Sequence, residues 1–539
     1  MSLKIIIAQT NFTVGDIAGN SQKIIDVAKA NSASDLIIFP ELCVSGYPPE
    51  DLILLPYFVE SCMQAAQKVA DATKKLNTAI IIGCPWLQDG KTYNAAILIQ
   101  HGQIKFKQFK RNLPNYGIFD EKRIFTAGKN LQTYNLNGTK LGILICEDTW
   151  HLRNAKQLAD ADIFISINAS PFEVNKQKTR YKIAQKISKK YSRPLIYTNL
   201  VGAQDDIVFD GGSFVLNEQA QITQQLDFFA EKKVLANFTI NHQPSTINPL
   251  EQIYSAMVLA LRDYVNKNGF KGVVLGMSGG IDSAISAAIA ADALGAERVR
   301  LVMLPSKFTS DESKVDASKC AKNLSIEIET ISIEQTYNAL EESLEASFLG
   351  KAKDLTEENL QSRTRGVLLM ALSNKFGYMV LSTGNKSELA TGYATLYGDM
   401  CGGYNCLKDV YKTTVFKLAK WRNKNIPAIS LLQKDKLIPQ NIITKAPSAE
   451  LRENQKDQDS LPPYEVLDTI LYNLIEQQKS TEQIIELGYT AEVVEKVAKL
   501  LYASEYKRRQ SAPGVKISAM SFSRDRRFPL TSKFKFSKC

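Results

Sequence analysis

The densest chemistry in the chain is an eight-residue string, Gly276-Met277-Ser278-Gly279-Gly280-Ile281-Asp282-Ser283. The apolar run before it, Val273–Leu275, reads as a strand, and the alanine-rich stretch after it, Ala284–Leu294, reads as a helix. Glycines let a backbone approach a ligand closely and adopt positive φ. The helix N-terminus then presents unpaired N–H groups and a positive dipole end to an anion. Ser278 and Ser283 add hydroxyl donors. The string lacks the Gly-Lys-[Ser/Thr] ending of a P-loop, which argues against γ-phosphate transfer. A second reactive candidate, Cys146, closes the apolar run that starts at Leu141 and precedes Glu147-Asp148-Thr149-Trp150. A lone strand-end cysteine is usually a small buried hydrophobe. Two other strings change that reading: Phe39-Pro40-Glu41-Leu42 sets a carboxylate just past a strand, and Lys110-Arg111-Asn112-Leu113-Pro114-Asn115-Tyr116 sets a lysine ahead of a turn.

The complete Ser-Gly-Gly-x-Asp-Ser string resembles the pyrophosphate loop of the N-type ATP pyrophosphatases, which cleave ATP between the α- and β-phosphates and adenylate an acceptor. Downstream, Leu381-Ser382-Thr383-Gly384-Asn385-Lys386-Ser387-Glu388 follows another strand candidate. Thr383 suits an ATP contact there, and Glu388 offers a hard oxygen to Mg²⁺, which takes few carboxylates and keeps several waters. With Glu358-Asn359-Leu-Gln-Ser-Arg363-Thr-Arg365, Tyr397-Gly398-Asp399 and Asp409-Val-Tyr-Lys412 in that order, the second half resembles the NAD synthetase domain. The resemblance implies that residues 276–283 bind ATP and that Thr383 and Lys412 contact it. It places Asp282 and Glu388 at the Mg²⁺ site, and Asn359, Glu388 and Lys507 at deamido-NAD. Ser448 matches a mobile-loop position where stand-alone synthetases carry threonine.

Glu, Lys and Cys in that chain order, each just past a strand or turn, resemble the amidase triad of the nitrilase superfamily. Lys105, Lys107 and Lys110 compete for the lysine position, and the Leu-Pro-Asn-Tyr that follows favours Lys110. The implied roles are chemical: Cys146 attacks a carboxamide as thiolate, Glu41 takes its proton, and Lys110 stabilises the oxyanion. Glu121 matches the superfamily's second glutamate, a positioning residue. Tyr116, Ser170 and Lys176 are the positions that match a glutamine site. The two resemblances together imply an ammonia source joined to an ammonia consumer.

The elements needed to position these groups divide the 539 residues into two halves. Residues 1–241 alternate short apolar runs (Ile5–Ala8, Leu36–Phe39, Ile80–Gly83, Ala95–Ile99, Ile163–Ile167, Leu195–Thr198) with helical stretches. Such continuous runs mark strands buried in a packed sheet pair, and the resemblance implies a nitrilase-like αββα sandwich. Residues 242–249, polar and proline-bracketed, read as a linker. Residues 250–539 open with a helix bearing Ile253, Met257, Leu261 and Val265 and continue with alternating strands and helices. That alternation predicts a doubly wound, Rossmann-like parallel sheet, so the chain is α/β throughout. Residues 435–462 read as a mobile loop.

Charge excludes a broad nucleic-acid surface. Residues 505–539 carry +8 of the net charge of +10, so the remaining body is near neutral. An RNA-modifying pyrophosphatase is therefore the weaker alternative, as is a scaffold first half that only mediates oligomerisation. No run of the sequence is long and apolar enough to span a bilayer, and the N-terminus shows no secretory signal. The eight cysteines show neither disulfide spacing nor zinc spacing. A cytoplasmic enzyme with small-molecule substrates, no nucleic-acid or membrane partner, and a homo-oligomeric assembly around a dimeric synthetase core is expected.

Overall fold

The computed structural model describes residues 3–239, 247–453 and 455–532, which form two units, Met1–Asn248 and Pro249–Cys539. Residues 242–246 of the expected linker lie outside the described residues, as do Lys533, Lys535 and Lys538 of the basic tail.

In the first unit the apolar runs pair into two six-stranded sheets. One runs in the order Lys232–Leu235, Ile5–Gln9, Leu36–Ile38, Ala79–Gln88, Lys91–Gln100, Gln103–Phe109. The other runs Ile222–Gln225, Phe214–Leu216, Leu195–Asn199, Ile163–Asn168, Thr139–Ile145, Thr133–Leu136. Side chains alternate across each strand, so Ile5, Ile7, Ile38 and Ile81 of the first sheet meet Ile143, Ile145, Ile165 and Ile167 of the second. The opposite face of the first sheet (Ile6, Ala8, Ile80, Ile82) packs on helices Ile17–Ala30 and Pro56–Thr73 through Ile24, Val59 and Val69. The opposite face of the second sheet (Leu144, Phe164, Tyr197) packs on Ala184 and Ile187 of helix Lys176–Tyr191. This is the four-layer αββα sandwich expected.

The second unit holds an all-parallel five-stranded sheet ordered Ile328–Thr330, Val299–Met303, Val273–Gly276, Met379–Ser382, Tyr404–Asn405. Strand order reverses between Val273–Gly276 and Met379–Ser382, and such a switch point opens a crevice at the carboxyl ends of the strands. The helix Ile281–Leu294 is buried on almost every side, which its alanine content permits by letting neighbours approach closely.

Two features depart from the sequence reading. Strand Gln103–Phe109 was not anticipated, because it lies at a sheet edge and alternates exposed polar residues with half-buried ones. Segment 435–462 is not all loop: helix Gln440–Thr444 buries Ile442 and Ile443. The described part of the basic tail, whose order the sequence left open, buries Arg508, Lys516 and Arg526 and leaves Arg509 and Arg527 exposed. Among the described residues no helix is long and apolar enough to cross a membrane.

Candidate functional site

In the first unit, Glu41, Lys110 and Cys146 each stand just past a strand, and all three are buried. Lys110 Nζ donates to Glu41 Oε1 at 2.7 Å and to Glu121 Oε1 at 2.8 Å. Glu41 Oε1 also accepts from Asn94 Nδ2 at 2.8 Å, and Oε2 accepts from the Ala169 N–H at 2.9 Å. Tyr47 OH donates to Glu121 Oε1 at 2.9 Å. Gly83 makes the close fit possible, because a Cβ there would stand 2.0 Å from the Leu42 nitrogen beside Glu41. Cys146 opens a short 3₁₀ turn with φ +46°, a left-handed conformation that a non-glycine residue adopts only under tertiary constraint.

The electrostatics follow from burying two carboxylates with one ammonium. Burial alone would lower the Lys110 ammonium, but Glu121 and Glu41 hold it above the usual lysine range. Burial pushes the Glu121 carboxyl up to about 7 against the pull of Lys110. Burial, and then Glu41, push the Cys146 thiol well above its ordinary value, while Lys110 pulls the other way. The resting sulfur is therefore a thiol, and attack requires that its proton be taken by a neighbouring base.

Of the glutamine-site candidates, Tyr116 lies at the edge of a cavity of about 530 Å³ that Arg111, Asn112, Glu147 and His151 also line. Its hydroxyl donates to Glu147 Oε2 at 2.9 Å. Ser170 and Lys176 do not line that cavity. Ser170 is buried, its Oγ accepts from Arg180 Nε at 3.1 Å, and it neighbours the Ala169 N–H that holds Glu41. Lys176 is the first residue of helix Lys176–Tyr191. Asn94, Tyr47 and Ala169 escaped the sequence reading, since nothing local marks residues that reach the site from distant strands and turns. Glu147 and Asp148 carried a signal, their place directly after Cys146.

In the second unit the glycine string joins strand Val273–Gly276 to helix Ile281–Leu294, as read from sequence. Gly279 has φ +78°, and a Cβ there would stand 2.3 Å from the Ser313 carbonyl oxygen. Met277 N–H is bonded to Val302 O, while Gly280 N–H bonds only the Ser278 hydroxyl at 3.2 Å. Ser278 Oγ and Ser283 Oγ lie 3.1 Å apart at the start of the helix. Ile281, the first helical residue, is buried beneath them. Thr383, on the far side of the switch point, lines one cavity of about 240 Å³ with Gly276, Met277 and Ser278. Arg365 and Asp399 line it too; burial lowers the Arg365 guanidinium to about 10 and raises the Asp399 carboxyl to about 6.

Asp282, Glu388 and Lys412 converge. Lys412 Nζ donates to Asp282 Oδ2 and, at 3.1 Å, to Glu388 Oε1. Asn385, the N-cap of helix Lys386–Thr391, donates from Nδ2 to Asp282 Oδ1 at 3.0 Å. Lys386 in the same helix is fully buried and holds Asp409 and Glu476, with Ser518 and Met520 of the C-terminal segment. Burial, with Asp282 and Asp457, pushes the Glu388 carboxyl up to about 7 although Lys412 opposes it. Among the described residues no group of three metal-ligating side chains is preassembled. Asn359 and Lys507 meet a neighbouring turn from two helices: Thr395 Oγ1 donates to Asn359 Oδ1 at 2.8 Å, and Lys507 Nζ donates to the Gly392 and Ala394 carbonyls at 2.8 and 2.7 Å.

Comparison with known proteins divides the chain in the same way. Residues 4–242 match the carbon-nitrogen hydrolase model and residues 253–511 match the NAD synthase model. Over 98% of both chains, this sequence is 44% identical to a glutamine-dependent NAD(+) synthetase of Acinetobacter baylyi. A protein of the same description from Rhodobacter capsulatus is 44% identical over 99% of both. A solved glutamine-dependent NAD+ synthetase from Acinetobacter baumannii, in complex with ADP, superposes with a TM-score of 0.78 at 43% identity over 98% of each chain.

Proposed function

We propose, from the premise that the chain belongs to the glutamine-dependent NAD(+) synthetase family, that the two sites divide one reaction between them. The chain is a carbon–nitrogen ligase that amidates deamido-NAD to NAD with glutamine as nitrogen donor and ATP as substrate. The residue assignment that follows is our own. It is carried by one observation, the presence on a single chain of the sealed Glu41–Lys110–Glu121 network beside Cys146 and of a phosphate loop at a sheet switch point.

Glu41 takes the Cys146 proton as the sulfur attacks the glutamine carboxamide. Lys110, fixed between Glu41 and Glu121, stabilises the oxyanion. Collapse of the tetrahedral intermediate returns that proton from Glu41 to the leaving ammonia. Water, deprotonated by Glu41, then releases glutamate from the thioester. Tyr116 and Glu147 line the entrance where the amino-acid head group would sit, and we keep Ser170 and Lys176 as the further contacts.

In the second unit the nicotinate carboxylate attacks the α-phosphorus of ATP, and ammonia then displaces AMP from the acyl adenylate. Gly276–Ser283 receives the departing pyrophosphate on the N–H and hydroxyl donors at the start of its helix. Thr383 and Lys412 hold the nucleotide, and Asn359, Glu388 and Lys507 hold deamido-NAD. The donor set suits Mg²⁺: Asp282, Glu388 and Asp457 lie within electrostatic reach of the single Lys412 ammonium. One or two carboxylates suffice when phosphates and waters complete the shell. Asp282 and Glu388 would hold the ion, which supplies neutralisation of phosphate charge.

We further assign the chain to the cytoplasm, because the described cysteines are all free. A homo-oligomeric synthetase core fits helix Leu355–Phe376, which buries Gln361, Ser362 and Thr364 but exposes Leu355, Val367 and Met370.

The test is an assay with deamido-NAD, ATP, Mg²⁺ and either glutamine or ammonium. NAD, AMP and pyrophosphate should form in equal amounts with both nitrogen sources, with glutamate only in the first. ADP as the stoichiometric product would overturn the assignment.

A further inference from the structure

We propose that Asp148 is a positioning residue for the amidase step: its buried carboxylate ties the turn that carries Cys146 to the main chain just after Lys110, and so fixes the nucleophile against the oxyanion-stabilising ammonium. The inference rests on the glutaminase reading of Cys146, Glu41 and Lys110 given above.

Asp148 Oδ1 accepts the Asn112 N–H at 2.7 Å, and both carboxylate oxygens accept the Arg111 N–H at 3.1 Å. Arg111 and Asn112 are the two residues that follow Lys110. Asp148 itself lies two residues after Cys146 in the same 3₁₀ turn, Cys146–Trp150. Asn154, also buried, completes the joint: its Nδ2 donates to the Asn112 side-chain oxygen at 2.7 Å and to the Asp148 carbonyl at 3.0 Å. One carboxylate thus spans a gap of 36 residues in sequence.

Two physical points favour positioning over simple packing. Cys146 sits at φ +46°, and that conformation persists only where neighbouring contacts over-determine it. Asp148 also carries its charge at a cost. Burial pushes its carboxyl up to about 6 against the Asn112 and Arg111 N–H groups and the nearby Lys110 ammonium. A carboxyl raised above its unfolded value favours folding most when protonated, so above pH 6 the ionised group opposes stability. A neutral acceptor could fill the space at less cost, but its single oxygen could not face both N–H donors without turning an amide N–H toward one of them.

Asp148→Asn in the full chain tests this. Its amide keeps the size of the carboxylate but sets a donor against the Arg111 N–H. Glutamine-dependent kcat should fall on the order of 10²-fold, as a misplacement near 1 Å would cause, with KM for glutamine within about threefold. Ammonium-dependent synthesis and the rate of Cys146 alkylation by iodoacetamide should be unchanged, since Glu41 and the thiol remain. Wild-type glutamine turnover, or a loss confined to KM, would overturn the inference, and so would a parallel loss of alkylation. If Asp148→Asn does not fold, Asn154→Ala carries the test by cutting the same joint from the other side. It removes the amide's bonds to Asn112 and Asp148 together and should lower glutamine-dependent kcat by at least about fivefold, and an unchanged kcat would overturn the claim. Cys146→Ala, run in parallel, separates the two readings. If it still uses glutamine, the glutaminase reading fails; if it does not while Asp148→Asn remains fully active, only the positioning role fails.

Discussion

In the first unit Lys110 is sealed between Glu41 and Glu121, with no exposure of its side chain or of Glu41, whereas in the second unit Lys412 bridges Asp282 and Glu388, each of which keeps 17% of its side chain open. Both arrangements set one ammonium between two carboxylates, and on the proposed function they serve opposite ends. The first network has further support: Asn94, Ala169 and Tyr47 each add a bond to a carboxylate that already holds Lys110. On the proposed function, a small carboxamide would be received beside this network with its charges left in place. The second cluster pairs its own charges, with Lys412 held by both Asp282 and Glu388. A polyphosphate with Mg²⁺ would draw Asp282 and Glu388 toward the metal and free Lys412 for phosphate. On this reading, chemistry on a small substrate rewards a fixed site, and two nucleotides an adaptable one.

The comparison breaks most visibly at Cys146. Cys146→Ala removes the proposed nucleophile and leaves the second unit untouched, so glutamine-dependent synthesis should vanish while ammonium still supports NAD formation. Lys110→Ala should show the same split, with glutamine turnover lower by about 10²- to 10³-fold through lost oxyanion stabilisation. Comparing NAD formation from the two nitrogen sources measures it. Equal loss with both would mean that these residues hold the unit together rather than perform its chemistry.

A smaller effect sharpens the contrast by asking what the sealed network costs. Glu121 Oε2 is buried without a hydrogen-bond partner, and burial raises this carboxyl to about 7. Since the folded value lies above the unfolded one, this group's stabilising contribution is full below the unfolded value and is lost as pH rises through about 7. Glu121→Gln keeps one oxygen for Lys110 and Tyr47 and removes the charge. At pH 8 its Tm should match or exceed the wild-type value, while glutamine-dependent kcat falls about tenfold as Lys110 loses an ionic partner. Thermal melts at pH 6 and 8 beside the glutamine assay check both halves. A lower Tm at pH 8 would show that the charge stabilises the fold and that the site is not held at a cost.

Legibility in the sequence followed the range of the interaction. The phosphate loop was readable because its demands are local: Gly279 needs positive φ and close approach to Ser313, and helix start and strand end flank it within a few residues. Glu41, Lys110 and Cys146 were readable only through resemblance to a family, since 69 residues separate Glu41 from Lys110 and no spacing rule joins them. Asn94 and Tyr47 gave no signal, because a strand asparagine and a turn tyrosine are ordinary until the sheets bring them to Glu41 and Glu121. The edge strand Gln103–Phe109 was missed for a related reason: Gln103, Lys105 and Lys107 face outward, so it lacks the apolar run that marked its neighbours. The order of the basic tail could not be read, because the partners that bury Arg508 and Arg526, Glu505 and the rings of Tyr502, Phe522 and Phe528, appear only in the fold.

The smallest expected effect tests the adaptable site at its edge. Lys507 is half-buried, and its ammonium now caps the Gly392 and Ala394 carbonyls at the end of the helix that carries Glu388. Burial lowers its pKa, while Asp399 opposes that shift. If the assignment to deamido-NAD is right, Lys507 leaves part of that carbonyl cradle to meet a phosphate, and Lys507→Ala should raise KM for deamido-NAD by about fivefold to tenfold, the worth of one charge-assisted contact. KM for ATP should move much less, because the phosphate loop joins strand Val273–Gly276 to helix Ile281–Leu294 and does not include this turn. An equal rise for both substrates would locate the role of Lys507 in holding the Gly392–Thr395 turn, and the second site would then be more preassembled than the contrast with the first allows. Lys507→Met adds a control, since it keeps most of the aliphatic stem and removes only the charge. Recovery of the wild-type KM for deamido-NAD in that variant would assign the effect to packing and remove the residue from the dinucleotide site.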